Sequence, residues 1–362
     1  MIEIFILLGG AVALLVGGEL LVRGASSFAL RLGMSSLLVG LTVVAFGTSA
    51  PELFISVQSA LDDKGDIALG NVIGSNTCNT LLILGLCALV APLSVPSKLV
   101  RREVPLMVFA SVVCFVLSLD GFIGRLDGLL FVVCLFGFLV FSIKSAGRDK
   151  EKERLSNNAG KIDSCSENEI SEPQSGSLFM DMGLMIFGLF LLYFGSKGFV
   201  HGASEIARWF GVSELVIGLT IVALGTSLPE VVTSVLATIR GERDLAVGNV
   251  VGSNIFNIFC VLGFCSLISP LNVPDVALVL DIPVMLFSAL AFLPIVYSNG
   301  MVGRLDGFFF FAGYIVYTVF LILVSKSLTP VPHLSEVFIV FIVPLVLLTV
   351  HGFYNRGRSG SE

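Results

Sequence analysis

Eleven apolar runs recur along this sequence, at about 4–30, 36–60, 67–92, 103–119, 124–144, 178–208, 213–239, 245–269, 276–297, 303–324 and 335–353. Each approaches the roughly 20 residues that a helix needs to cross a hydrocarbon core. A backbone in lipid must satisfy its own hydrogen bonds, so runs of this length become helices. Composition agrees, because 55% hydrophobic residues, 13% charged residues and a mean hydropathy of +0.97 leave too little polar surface for a water-soluble particle. The predicted fold class is an all-α polytopic membrane protein of ten core transmembrane helices plus an eleventh at the C-terminus, with the lipid bilayer as partner. Neither nucleic acid nor a protein partner is implied. The first run lacks a basic flank and a cleavage-type ending, so it reads as a retained helix. Seven scattered cysteines, with no CxxC pair and no histidine at metal spacing, read as small hydrophobes.

Cytoplasmic loops retain Lys and Arg. With the N-terminus outside, sixteen basic residues, among them Arg23, Arg31, Arg102, Arg240 and Arg304, fall on the cytoplasmic side. Only four, Lys64, Arg125, Arg208 and Lys326, fall on the other, and Lys197 lies within a helix. The segment 146–177 is polar, charged and without apolar periodicity, which predicts a cytoplasmic linker.

That linker separates two copies of one unit. A shift of 178 residues, Gly40 to Gly218, aligns 40–96 with 218–274 without a gap, and 29 of the 57 positions are identical. GLTVVAFGTSAPE answers GLTIVALGTSLPE, and GNVIGSNTCN answers GNVVGSNIFN. The register extends to Gly24 with Gly202 and to Pro105 with Pro283, so the unit is about five helices long. An odd unit duplicated in tandem enters the membrane from opposite sides, which predicts two inverted five-helix repeats. The domains expected are 1–145, the linker 146–177, 178–325, and a C-terminal helix with a basic tail at 326–362.

Lipid-facing positions drift between the copies, whereas polar ones are matched. Glu52 and Glu230 lie inside spanning helices, where a charge costs several kcal/mol. No Lys or Arg shares their helices or the paired GNVxGSN helices, so the two carboxylates are expected to meet around cations. Thr48 and Ser49 precede Glu52 by one helical turn on the same face, as Thr226 and Ser227 precede Glu230. Pro51 and Pro229 lack an N–H and crowd the carbonyls one turn back, breaking the helix and freeing backbone oxygens. Ser75 and Asn79 share one face of a second helix, as do Ser253 and Asn257. The donors are all oxygen, which selects sodium, calcium or magnesium over zinc or copper. Asn76 and Asn254, about 100° off that face, are expected to satisfy freed backbone groups. Gly70, Gly74, Gly248 and Gly252 are expected to allow close helix packing, with the carbonyls of Gly74 and Gly252 as further possible ligands. Glu19 and its repeat mate Lys197 are expected to pair with loop groups, to snorkel, or to influence gating, the first two being favoured.

The doubled motifs GTSAPE with GSNTCN and GTSLPE with GSNIFN resemble the alpha repeats of the calcium/cation antiporter superfamily, most closely its bacterial sodium/calcium exchanger-like branch. The resemblance covers ten helices. It implies Glu52 and Glu230 as central ligands, completed by the hydroxyl and amide residues above and by the carbonyls of Ala45 and Ala223. It further implies helices 1 and 6 as a sliding gate, transport of calcium and sodium with no cofactor, and residence in the inner membrane. Asn257 stands where potassium-dependent members carry Asp, which argues against potassium coupling. A calcium/proton antiporter of the same fold is the nearest alternative, although its relatives carry a GNxxE acid absent from GNVIG and GNVVG. A passive channel would share the oxygen ligands but need no counter-ion. No activated nucleophile, His-containing metal motif or phosphate loop is present, which sets an enzyme last, and His201, His333 and His351 read as structural.

Overall fold

The computed structural model describes residues 2–160, 177–211, 221 and 223–325. The helices are α1 (Ile2–Leu32), α2 (Ser36–Thr48 and Ala50–Leu61), α3 (Gly65–Val90), α4 (Glu103–Leu117), α5 (Arg125–Gly160), α6 (Leu178–Trp209), α7 (Leu228–Ile239, preceded by a short turn Ala223–Gly225), α8 (Arg243–Ile268), α9 (Ala277–Ser298) and α10 (Arg304–Ser325). Among the described residues, seven helices are long and apolar enough to cross a membrane, and the two segments of α2 form an eighth span bent by 42°. The chain is an integral membrane protein. The expected eleventh helix lies outside the described residues. One boundary needs correction, because α5 runs on to Gly160, into the segment expected to be linker.

The sequence register reappears as contacts. Glycines recur every seven residues on α1 (Gly10, Gly17, Gly24) and at their repeat mates on α6 (Gly188, Gly195, Gly202). A Cβ at Gly17 would stand 2.8 Å from the Gly188 carbonyl, and one at Gly188 would stand 2.8 Å from the Gly17 carbonyl. Gly24 meets Asp181 and Met185 while Gly202 meets Glu3 and Leu7, so α1 and α6 pack antiparallel along their length. Missing side chains let the two backbones touch, the usual way helices associate when lipid offers no hydrophobic drive. Their ends are tied by Arg31 to Asp181, 2.5 Å, and by His201 to Glu3, 3.4 Å. Repeat mates running in opposite directions are what an inverted duplication requires.

The same exchange is visible in four two-residue strands, β1 (Leu93–Ser94), β2 (Phe122–Ile123), β3 (Leu271–Asn272) and β4 (Met301–Val302). β1 pairs with β4 and β2 with β3, both antiparallel, so each pair joins one half to the other. After β2 and β4 comes the same GRLDG start, in which Asp127 accepts from Gly124 N at 2.8 Å and Asp306 from Gly303 N at 2.9 Å, capping α5 and α10.

The centre of the molecule is α3 and α8. In each, 83% of the spanning window is buried, against 28% for α1 and α6 and 22% for α10. Polar residues that repeat on α3 and α8 are therefore held away from lipid by protein. Both helices carry a π-helical turn, Cys78–Ile83 and Asn257–Leu262, immediately after the GSN motif. Sequence analysis did not anticipate these turns; they loosen the backbone ladder where the matched amides lie.

Candidate cation-binding site

In α2 the helix stops at Thr48 and restarts at Ala50, with Ser49 at φ −81° and ψ 4° between the segments. Ser227 repeats that conformation at φ −87° and ψ 3° ahead of α7. Pro51 and Pro229 occupy the first turn of the restarted helices, where a missing N–H costs nothing, and Glu52 and Glu230 follow in the same first turn. The break brings both carboxylates to the mid-level of the bundle, where Glu52 and Glu230 are fully buried and close enough to interact electrostatically. No Lys or Arg among the described residues pairs with either.

Each half completes the other. Ser49 Oγ donates to Glu230 Oε1 at 3.0 Å, and Ser227 Oγ lies 3.3 Å from Glu52 Oε1 and 3.1 Å from Ser75 Oγ. Thr48 Oγ1 lies 3.2 Å from Asn249 Oδ1 and 3.4 Å from the Ala45 carbonyl, while Thr226 Oγ1 lies 3.2 Å from Asn71 Oδ1. Asn71 and Asn249 are steadied by Ser56 and Ser234, each at 2.9 Å. Ser56 and Ser234 lie one turn beyond the glutamates and are matched in the alignment, so the repeat itself carries their signal. Ala223 heads the short turn before the break, as Ala45 does in the first half.

Once these bonds are assigned, a set of buried oxygens is left without a donor: Glu52 Oε2, Glu230 Oε2, Asn79 Oδ1, Asn257 Oδ1 and Ser253 Oγ. Asn79 Nδ2 is also unpartnered, whereas Asn257 Nδ2 donates to Asn76 Oδ1 at 3.0 Å. Orphaned buried oxygens are costly, and hard cations are the species that oxygen-only ligand sets of this kind accept. The residues present therefore fit sodium or calcium as transported substrate.

Two expectations are corrected here. Asn76 Nδ2 does bond a backbone carbonyl, that of Asn254, at 3.2 Å. Asn254 instead donates to side chains, Thr80 Oγ1 at 3.0 Å and Met107 Sδ at 3.2 Å; Thr80 has Ile258 as its mate, so the repeat carried no signal for it. The glycines split as well. Gly248 and Gly252 are buried against the backbone of α2, with a Cβ at Gly248 only 2.8 Å from the Leu37 carbonyl. Their mates differ, since Gly70 is exposed, Gly74 is half-buried, and among the described residues a Cβ at either would meet nothing within 4 Å. Among the described residues, the motif is therefore closely packed in the second half only.

The open side continues into a cavity of about 330 Å³ lined by Pro51, Tyr193, Ser196, Lys197, Gly225 and Thr226, and reaching His201 and Arg208 towards the end of α6. At the corresponding position of the first half, Glu19 is held by Arg23 at 2.7 Å and by Arg240 Nε at 2.6 Å. Glu19 is therefore paired, as favoured, and Lys197 faces the cavity.

Comparison with known proteins agrees with this architecture. Residues 2–144 and 180–323 match the family described as sodium/calcium exchanger protein. The inner membrane protein YrbG of Escherichia coli K12 is 36% identical over 328 residues, which cover 89% of this chain and 98% of the relative. The sodium/calcium exchanger MaX1 of Methanosarcina acetivorans is 32% identical over 347 residues, 88% of this chain and 98% of the relative. The solved structure of the sodium-calcium exchanger NCX_Mj superposes with a TM-score of 0.74 at 30% identity, covering 88% of this chain and 98% of that one. Matched in both halves, on either side of the polar linker, the chain belongs to the sodium/calcium exchanger family of membrane cation antiporters.

Proposed function

We propose that this antiporter exchanges sodium for calcium by alternating access, with Glu52 and Glu230 as the central ligands of one shared site. The observation that carries this is the set of donorless buried oxygens contributed by both halves, including one carboxylate oxygen of each glutamate. Two carboxylates supply a charge near −2 that one calcium neutralises, and the hydroxyl and amide oxygens bring the set towards the six to eight ligands that calcium takes. Thr48, Ser49, Thr226, Ser227, Ser75, Asn79, Ser253 and Asn257 with the carbonyls of Ala45 and Ala223 complete overlapping calcium and sodium positions. Because both ions use the same oxygens, competition alone couples them. Exchange of three sodium ions for one calcium makes transport electrogenic and, with sodium entering, extrudes calcium.

The close packing of Gly248, which Gly70 lacks among the described residues, supports alternation, since exchanging the two arrangements exchanges the open side. The α1–α6 pair, sealed by glycines and tied at its ends by Arg31 with Asp181 and by His201 with Glu3, is the body that moves. With the N-terminus outside, the open cavity faces outwards. Calcium uptake into proteoliposomes loaded with sodium tests the reading. It is expected to follow the sodium gradient, to ignore an imposed proton gradient, and to vanish in Glu52→Gln and Glu230→Gln. Uptake driven by protons and indifferent to sodium overturns it.

A further inference from the structure

Lys197 is a charge that exchange chemistry leaves unused. It stands on α6 twelve residues before the helix ends at Trp209, about 18 Å along the axis at 1.5 Å per residue. A cation that far inside a span is costly wherever it lacks a purpose or a partner. Among the described residues no carboxylate takes that role: Glu3 pairs with His201 and Glu205 with Arg208, while Lys197 Nζ lies 4.7 Å from the centroid of the Tyr193 ring. The ring face stabilises an ammonium without neutralising it. Next to Lys197 on the helix, the Ser196 hydroxyl donates to the Gly225 carbonyl, clamping this stretch of α6 to the break that carries Thr226. The ammonium is thereby held in a cavity it shares with Thr226 and Pro51.

We propose that Lys197 is a specificity-determining residue of the exchanger, an ammonium tethered in the access cavity that disfavours divalent over monovalent cations at the site. The inference rests on the exchange reading for the identity of the ions. Coulomb repulsion scales with the charge of the ion, so whatever factor Lys197 imposes on the affinity for one sodium, it imposes the square of that factor on calcium. A cavity walled by protein and lipid screens this poorly, so the effect persists at moderate salt. Its mate Glu19, by contrast, is neutralised by two arginines. Among the described residues, the same register position therefore presents a free charge only in the second half. Functionally, Lys197 weakens rebinding of calcium, ion for ion more than of sodium, from the side to which this cavity opens.

The test is equilibrium binding of calcium and of sodium to the purified full-length protein, followed by exchange in proteoliposomes. Lys197→Gln is expected to tighten sodium about threefold and calcium about ninefold, with Lys197→Arg restoring wild-type values. Unchanged affinities, or an equal shift for both ions that Arg does not reverse, overturn the proposal and point to packing alone. Calcium binding needs no coupling ion, which keeps the two readings apart. A chain whose calcium affinity rises in Lys197→Gln but which exchanges calcium without sodium overturns sodium coupling and sustains the role of Lys197. A chain that exchanges the two ions with affinities indifferent to Lys197 overturns this proposal alone. A wild-type chain that binds no calcium overturns both.

Discussion

Ser49 of the first half donates to Glu230 of the second at 3.0 Å, and the exchanged pair, Ser227 with Glu52, lies at 3.3 Å. Each glutamate is thus oriented by the helix break of the opposite half, which makes the site one unit built from two motifs.

Ser49→Ala and Ser227→Ala should therefore each weaken calcium binding roughly tenfold, the value of a hydrogen bond to a charged acceptor. Combining them should cost less than the product of the two, because both act on one shared site. Calcium titration of the single and double variants measures this, and strictly independent effects would contradict a shared site.

The α1–α6 seam gives a stability prediction. A Cβ at Gly188 meets the Gly17 carbonyl and the Leu21 amide, both at 2.8 Å, and backbone cannot give way as a side chain can. Gly188→Ala should cost about 1–3 kcal/mol, read as a lowered melting temperature in detergent. Gly183→Ala, on the same helix with nothing within 4 Å, should be tolerated.

Gly70 and Gly248 should separate stability from turnover. Gly248→Ala places a Cβ 2.8 Å from the Leu37 carbonyl and should destabilise the present state directly. A Cβ at Gly70 meets nothing within 4 Å among the described residues, so the melting temperature of Gly70→Ala should stay within about 1 °C of wild type while turnover falls about tenfold or more, because the opposite access state needs the same close approach on that side. Equal turnover in Gly70→Ala would contradict the exchange of packing states.

Glu19 and Arg240 form a latch between α1 and the end of α7. The pair is only about one-third exposed, and breaking it should shift the access equilibrium by about 1 kcal/mol, a roughly fivefold change in population. In a Val232→Cys background, beside Gly18, the addition of Glu19→Gln should raise the labelling rate with a water-soluble thiol reagent by that factor. Arg31→Gln, which removes the partly buried tie to Asp181 within the α1–α6 pair, should lower stability without changing that labelling.

Much of this was legible from the chain alone, for identifiable reasons. Glu52 and Glu230 stood out because lipid makes an unpaired charge costly and duplication kept both. The helix breaks followed from Pro51 and Pro229, whose chemistry is local. The glycine heptads on α1 and α6 were equally present, but only Gly24 with Gly202 had been noticed, since small residues carry no signal until two helices are brought together.

The sequence by itself determined a membrane-embedded helical duplication with oxygen-bearing side chains at matched positions, because hydropathy, proline geometry and repeat register are properties of the chain. Which oxygens are left without donors, that each serine serves the glutamate of the other half, and that Gly248 packs closely where Gly70 meets no described neighbour were decided only by tertiary structure. The physical reason is that these depend on how two copies of one unit pack. The copies share a motif, and no feature of a symmetric sequence says how each copy is packed.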